Sequence, residues 1–147
     1  MSSASIKRII PCKKKDLINL VLDIEKYPEF VPWCLDGKII ERKESDDLIE
    51  LRGTLKVGKK YLNEIYSSLV TYHKKKDKII VTNIDGPLKH LTNEWKFKEI
   101  NSQTQLEFDI DFELKNGFFN IIMKKSFNFG LDRIADAFEK RANDLFK

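Results

Sequence analysis

The chain has 147 residues, 41% hydrophobic and 34% charged, with a formal net charge of +4 that rests mainly on lysine. That length suits one domain burying roughly two-thirds of its unfolded surface, and the apolar content is too high and too evenly spread for disorder. No apolar run approaches the roughly 20 residues of a bilayer span, and MSSASIKRII has neither the apolar core nor the cleavage site of a secretory signal, so a cytoplasmic protein is expected.

Cys12 and Cys34 are the two cysteines. A cytosolic domain with a sizeable core has no need of a bridge between them, and both are expected as free thiols. The runs Lys13-Lys14-Lys15, Lys74-Lys75-Lys76 and Lys124-Lys125 could meet anionic lipid or RNA phosphate. Lysine without interleaved arginine or stacking aromatics reads instead as a solvated face, and no DNA partner is expected.

In chain order, SIKRIIPC predicts a strand and KKKDLINLVLDI a helix, with Leu17, Ile18, Val21, Leu22 and Ile24 at helical spacing. The helix cannot continue through Tyr27-Pro28, because the residue before proline leaves the α region. YPEFVPWC, residues 27–34, is therefore read as a one-turn helix starting at Pro28 and stopped by Pro32. A single turn is not stable alone, so Tyr27, Phe30, Val31 and Trp33 must pack on something apolar nearby.

Residues 35–114 read almost entirely as strand. DLIELRGTLKV places Ile49, Leu51, Leu55 and Val57 on one face. YLNEIYSSLVTYH and KIIVTNID, joined by the lysine-rich loop 74–77, carry apolar residues on both faces: Tyr66, Val70, Tyr72, Ile79 and Val81 on one, Ile65, Leu69, Ile80 and Ile84 on the other. The period leaves the inward face open. DGP at residues 85–87 is a turn before LKHL. NEWKFKEI sets Trp95 and Phe97 opposite Glu94, Lys96 and Lys98. QLEFDIDFEL sets Leu106, Phe108, Ile110, Phe112 and Leu114 opposite Glu107, Asp109, Asp111 and Glu113. A four-residue loop over 101–104 would oppose Lys98 to Glu107, Lys96 to Asp109 and Phe97 to Phe108, leaving Asp109 and Asp111 as a solvated stripe with lysine partners rather than a catalytic carboxylate pair.

After Asn116-Gly117 a proline-free segment runs to Phe146. Its stripe of Phe119, Ile122, Met123, Phe127, Leu131, Ile134, Phe138, Ala142 and Leu145 predicts a long amphipathic helix, with Gly130 marking a bend or a close approach. The whole chain, 1–147, is thus expected to be one α+β domain: two short helices after the first strand, and a curved antiparallel sheet of about seven strands around the C-terminal helix. A bent sheet and one helix leave space between them. Trp95, Phe97, Phe108, Phe112, Met123 and Phe127 are candidates for its wall, and Tyr27, Phe30 and Trp33 for its cover.

DIEKYPEFVPWC, NIDGPLKHLTNEWKF, LEFDIDFEL and AFEKRANDL, in that order and spacing, resemble the coenzyme Q-binding START-domain family, a branch of the polyketide cyclase and lipid-transport superfamily that also contains the bacterial ribosome-association toxin. The resemblance spans nearly the whole chain. It implies a helix-grip fold, an internal apolar cavity and no metal or cofactor chemistry. It makes YPEFVPWC a short-helix cover and DGPLKHL a turn near the cavity mouth, where Leu88 departs from the usual phenylalanine. Without a transit-like N-terminal segment a bacterial member is expected, cytoplasmic or peripheral at the inner membrane.

Enzymatic readings have little support. No nucleophile motif, phosphate loop or short-spaced metal signature is present, and His73, His90, Cys12 and Cys34 are scattered. A cyclase would need an acid or base in the cavity, where Tyr66 and Tyr72 are the main candidates. The expected function is non-enzymatic carriage of an isoprenoid quinone, ubiquinone foremost, in support of respiratory electron transfer, with transient membrane-surface contact. The alternative is binding of the large ribosomal subunit to block subunit joining.

Overall fold

The computed structural model describes residues 2–59 and 62–146, with the side chains of residues 2, 59, 62 and 117–129 outside the description. Strand β1 (Ser2–Ile10) leads into α1 (Lys14–Leu22) and a 3-10 helix (Ile24–Glu29). Six strands follow: β2 (Cys34–Glu44), β3 (Leu48–Lys59), β4 (Leu62–His73), β5 (Lys78–Asp85), β6 (Leu88–Ile100) and β7 (Gln103–Leu114). The chain then enters α2 (Gly117–Phe146).

The strands form one seven-stranded antiparallel sheet in the order β1-β7-β6-β5-β4-β3-β2. After β1 the two short helices carry the chain to the far edge, and five hairpins return it until β7 closes on β1. Helix α2 packs against β1, β7 and α1 on the concave side. The expected α+β helix-grip architecture, with its curved sheet and long last helix, is present.

Three local expectations need correction. Helix α1 ends at Leu22, with Asp23 as its cap, and the 3-10 turn begins at Ile24 with Pro28 inside it rather than opening it. The β6–β7 loop has two residues: Asn101 and Ser102 both have positive φ, 48° and 70°, the signature of a type I′ hairpin turn that asparagine tolerates. The register therefore differs by two residues, pairing Trp95 with Phe108, Lys96 with Glu107 and Glu94 with Asp109. A slip of two preserves both faces, which is why the alternation could not detect it. The third correction follows from the second: Asp109 and Asp111 accept hydrogen bonds from the hydroxyls of Ser5 and Ser3 on β1, with His90 3.6 Å from Asp111, and not from lysines.

The face left open on β4 and β5 is settled by burial. Val70 and Ile79 are core, while Ile65 and Ile84 are exposed on the outer side. Val70 pairs with Val81 and Tyr72 with Ile79.

Two glycines let the 3-10 helix lie directly on the sheet. A Cβ at Gly37 of β2 would collide with the carbonyl oxygen of Ile24, and one at Gly53 of β3 with the tip of the Ile24 side chain. Ile24 thus sits in a notch made by two missing side chains. At the other edge Arg8 of β1 meets Asp136 at 2.6 Å, with Glu139 at 3.6 Å and Asp132 at 3.7 Å, holding α2 to the first strand.

Candidate functional site

Between the concave sheet and α2 lies an apolar cavity of about 270 Å³. Its sheet wall is Leu55 and Val57 from β3, Val70 from β4, Ile79 and Val81 from β5, Trp95 from β6, and Phe108 and Ile110 from β7. Ile134 and Phe138 of α2 form the opposite wall, and Val21, Ile24, Tyr27, Val31, Pro32, Trp33 and Cys34 close one side. On each strand the wall positions are two residues apart, as the two-residue period of a strand requires for side chains sharing one face.

Phe138, 2% exposed, is the hub of the aromatic packing. Its ring makes edge contacts with Tyr27 at 5.4 Å, Phe30 at 5.1 Å and Trp95 at 5.3 Å between centroids. Trp95 in turn meets Phe108 edge-on at 4.6 Å. Such pairs add about 0.5–1.5 kcal/mol each beyond the area they bury.

The cover is built from two successive turns. The N–H groups of Phe30 and Val31 donate to the Tyr27 carbonyl at 3.1 and 2.8 Å, and the N–H of Cys34 donates to the Val31 carbonyl at 3.3 Å. In the second turn Pro32 precedes Trp33, whose φ is +64°, the arrangement of a type II turn with tryptophan in the position that favours glycine. A bulky residue there costs roughly 1–2 kcal/mol of backbone strain. The carbonyl of Trp33 accepts the Gly58 N–H at 2.9 Å, tying the cover to the end of β3. Its indole lies against α2 beside Gly130, with the Arg133 guanidinium 5.3 Å from the ring centroid. Arg141 closes the neighbouring edge, 2.7 Å from Glu29 and 5.1 Å from the Phe30 ring centroid.

Among the described residues no side chain in the wall carries a full charge. The two titratable ones, Tyr27 and Cys34, both have their pKa pushed up by burial, and the Tyr27 hydroxyl donates to the Val21 carbonyl. At neutral pH both keep their protons and neither serves as a base. Tyr66 and Tyr72 do not reach the wall. Among the described residues no group of three or more His, Cys, Asp or Glu side chains is placed to hold a metal ion. Cys12 and Cys34 are both free and buried.

Of the residues singled out from sequence, the structure brings Tyr27, Trp33, Trp95 and Phe108 together around the cavity. Phe30 supports the cover from behind, through Tyr27 and Phe138. Phe97 and Phe112 are buried in the sheet face outside the cavity wall, and Leu88 is buried at the start of β6, paired with Leu114. The side chains of Met123 and Phe127 lie outside the described residues. Phe138 and Ile134 were visible in the sequence as part of the α2 stripe, but nothing in a helical stripe says which of its members faces a void. The polar wall residues Ser68 and Asn93 carried no signal at all.

A family model described as polyketide cyclase / dehydrase and lipid transport matches residues 10–139. The chain belongs to this family. Within it the chain is similar to the ribosome association toxin RatA of Rickettsia prowazekii, at 32% identity over all of both chains. It is also similar to the mitochondrial coenzyme Q-binding protein COQ10 of Dictyostelium discoideum, at 32% identity over 87% of this chain and 62% of that protein. A START superfamily protein from Mycobacterium smegmatis shares the fold, with a TM-score of 0.82 over 97% of this chain and 98% of the other at 20% identity. The family's description covers polyketide cyclases, dehydrases and lipid transport alike.

Proposed function

We propose that the protein is a non-enzymatic carrier of an uncharged, lipid-like molecule, an isoprenoid quinone such as ubiquinone foremost, in support of respiratory electron transfer. The observation that carries this reading is the cavity wall. Among the described residues it is lined mainly by aliphatic and aromatic side chains, with Ser68 and Asn93 as polar members and no charged group, so it suits a neutral, largely apolar ligand and would penalise a carboxylate or phosphate by the cost of desolvating an unpaired charge. The name of the Dictyostelium relative, a coenzyme Q-binding protein, favours quinone within that class. At about 270 Å³ the cavity has room for a head group and a short stretch of tail. A carrier of this kind works in the cytoplasm with transient contact at the inner membrane surface. Among the described residues no helix is long and apolar enough to cross a membrane. Native mass spectrometry of the purified protein, followed by organic extraction, tests the reading. A co-purifying isoprenoid quinone at near-equal stoichiometry supports it, and a protein that neither carries nor takes up quinone overturns it.

Binding to the large ribosomal subunit is the second reading, favoured by the name of the Rickettsia relative that matches over its full length. The lysine runs are weaker support than their sequence suggests. Lys74 pairs with Glu44 at 2.8 Å, Lys75 with Asp47 at 3.2 Å and Lys14 with Asp77 at 2.9 Å. Sedimentation with large ribosomal subunits at low and moderate salt, for the parent and for the combined Lys74→Glu, Lys75→Glu and Lys76→Glu variant, decides between the readings. Robust co-sedimentation lost in the variant would reverse their order.

A further inference from the structure

A second, smaller void of about 20 Å³ lies between α2 and the β1 side of the sheet. Ile6 of β1 and Leu106 of β7 line it from the sheet, and Leu131 and Ala135 from the helix. Four further side chains, Trp95, Phe108, Ile134 and Phe138, line both this void and the large cavity, and so form the partition between the two spaces. The sheet supplies Trp95 and Phe108 as a direct cross-strand pair. The helix supplies Ile134 and Phe138 four residues apart, on one face of α2.

The four members are not held equally. Phe108, Trp95 and Phe138 form a chain of edge-on rings with centroids 4.6 and 5.3 Å apart, and the Trp95 indole is fixed further by the N–H it donates to Asn93 at 2.7 Å. Phe138 is held again by its ring contacts to Tyr27 and Phe30. Ile134 is half-buried and aliphatic. Its χ1 is stiff in a helix because it is β-branched, but its terminal methyl swings about χ2 between staggered positions. It is the panel of the partition that turns aside at least cost.

The two spaces also differ chemically. Ser68 and Asn93 line the large cavity and not the small void. Around the small void, among the described residues, the sole polar side-chain group is the Trp95 indole N–H, and Asn93 takes it. A trapped water needs roughly two to four polar partners, and no side chain there offers one. An apolar group suits the void instead, since filling it supplies the contacts that its walls lack.

We propose that the small void is a second chamber of the cavity, closed by Ile134, and that Ile134 sets how long an apolar chain the protein accepts. The inference rests on the reading of the cavity as the site of a neutral, largely apolar ligand. The polar end of that ligand stays on the side of Ser68 and Asn93, and the apolar end is what meets the partition. Up to that point each buried methylene raises affinity about fourfold. Beyond it, further chain gains nothing unless Ile134 gives way, and the surplus stays in water.

The test is displacement of a solvatochromic apolar dye from the cavity by two homologous series, benzoquinones with straight alkyl chains of increasing length and primary alcohols of increasing length. In the parent, affinity is expected to rise about fourfold per methylene and then to level off at one chain length. Ile134→Ala should move that length up by about two or three methylenes, and Ile134→Val, the milder truncation, by about one. Ile134→Phe should lower it. Ile110→Ala, the same truncation at a residue lining the large cavity alone, should leave the levelling length where it is in the parent. An affinity that never levels in the parent, or that levels at the same length in the parent and in the Ile134 variants that fold, overturns the second chamber and leaves the carrier reading intact. If the alcohols show the shift and no quinone displaces the dye, the chamber stands and the quinone reading fails. If neither series displaces the dye, both fall.

Discussion

The six-membered ring of Trp33 lies 3.9 Å from the point where a side chain on Gly130 would begin. The cover and the last helix are therefore fitted to each other by an absence: α2 gives up a side chain where the indole rests. The same absence weakens the helix, since glycine costs up to about 1 kcal/mol relative to alanine in a helix interior.

Gly130→Ala separates those two effects. A methyl group would meet the indole at ordinary van der Waals distance, so the variant is expected to fold and to gain about 0.5–1 kcal/mol from helix propensity. Gly130→Phe, which the site cannot hold, should push Trp33 outward and raise its fluorescence quenching by aqueous iodide. Equal iodide quenching of Trp33 in Gly130→Phe and parent, both in a Trp95→Phe background, would show that the packing of these two residues is dispensable.

Trp33 itself is expected to govern ligand exchange more than stability. Trp33→Ala should leave the domain folded and speed the release of a bound short-chain isoprenoid, seen as a raised off-rate in stopped-flow measurements. Trp33→Gly should do the same and be about 1 kcal/mol more stable than Trp33→Ala in urea unfolding, because glycine accepts the +64° φ without strain. Trp95→Ala, which empties the centre of the aromatic cluster, should cost about 3–5 kcal/mol.

The notch under Ile24 gives a rescue experiment. Gly53→Ala meets chiefly the flexible end of the Ile24 side chain, with the Lys38 carbonyl oxygen a looser 3.2 Å away, and Ile24→Ala in the same chain should recover part of the lost stability. Gly37→Ala meets the Ile24 backbone carbonyl, so Ile24→Ala should not help, and a loss above about 2 kcal/mol is expected from the forced backbone shift. Equal rescue of both variants would mean that the 3-10 helix moves freely over the sheet.

Cys12 makes stability depend on pH at the alkaline end. Burial, with a smaller contribution from Asp16, pushes its thiol from an ordinary value near 9.0 up to about 11. The folded state therefore binds the proton more tightly than the unfolded state. The stabilisation is complete below pH 9 and lost as the pH rises towards 11, a difference on the order of 2–3 kcal/mol. Cys12→Ala should flatten that part of the profile relative to the parent, as measured by urea unfolding between pH 8 and 11. Parallel profiles would place the thiol in contact with water.

Much of this molecule is legible in one dimension because its sheet has a wet side and a dry side. The alternation in QLEFDIDFEL marks which residues of β7 face the core, and the α2 stripe correctly contains the buried Leu131, Phe138 and Ala142. What stays hidden depends on distances along the third direction. Alternation cannot see a two-residue register slip, so Trp95 and Phe108 were not recognised as partners until the Asn101-Ser102 turn was defined. On β4 and β5 both faces carry apolar residues, and only contact with the rest of the fold distinguishes Val70 from Leu69. Gly37 and Gly53 read as weak points in strands because the residue that needs the space, Ile24, comes from another element. Ser68 and Asn93 look like ordinary strand residues, and their place in the cavity wall is set by neighbours on other strands.

The pairing of β1 with β7 has a consequence for how the molecule is made. Every ladder bond of the first strand is to residues 104–112, which are translated about a hundred residues later. At about 5–20 residues per second, Ile6 waits roughly 5–20 s for Phe108 to be synthesised, and longer for it to clear the exit tunnel. During that time β1 is an unpaired edge beside a nascent meander that can already form its hairpins from β2 onward. The final closure is a high-contact-order step that should set the folding rate of the whole domain. Moving β1 to the C-terminus, after α2 and a linker long enough to span the helix, would shorten the wait while keeping the β1–β7 ladder, and such a permuted chain should show a smaller fraction trapped by a chaperone during synthesis.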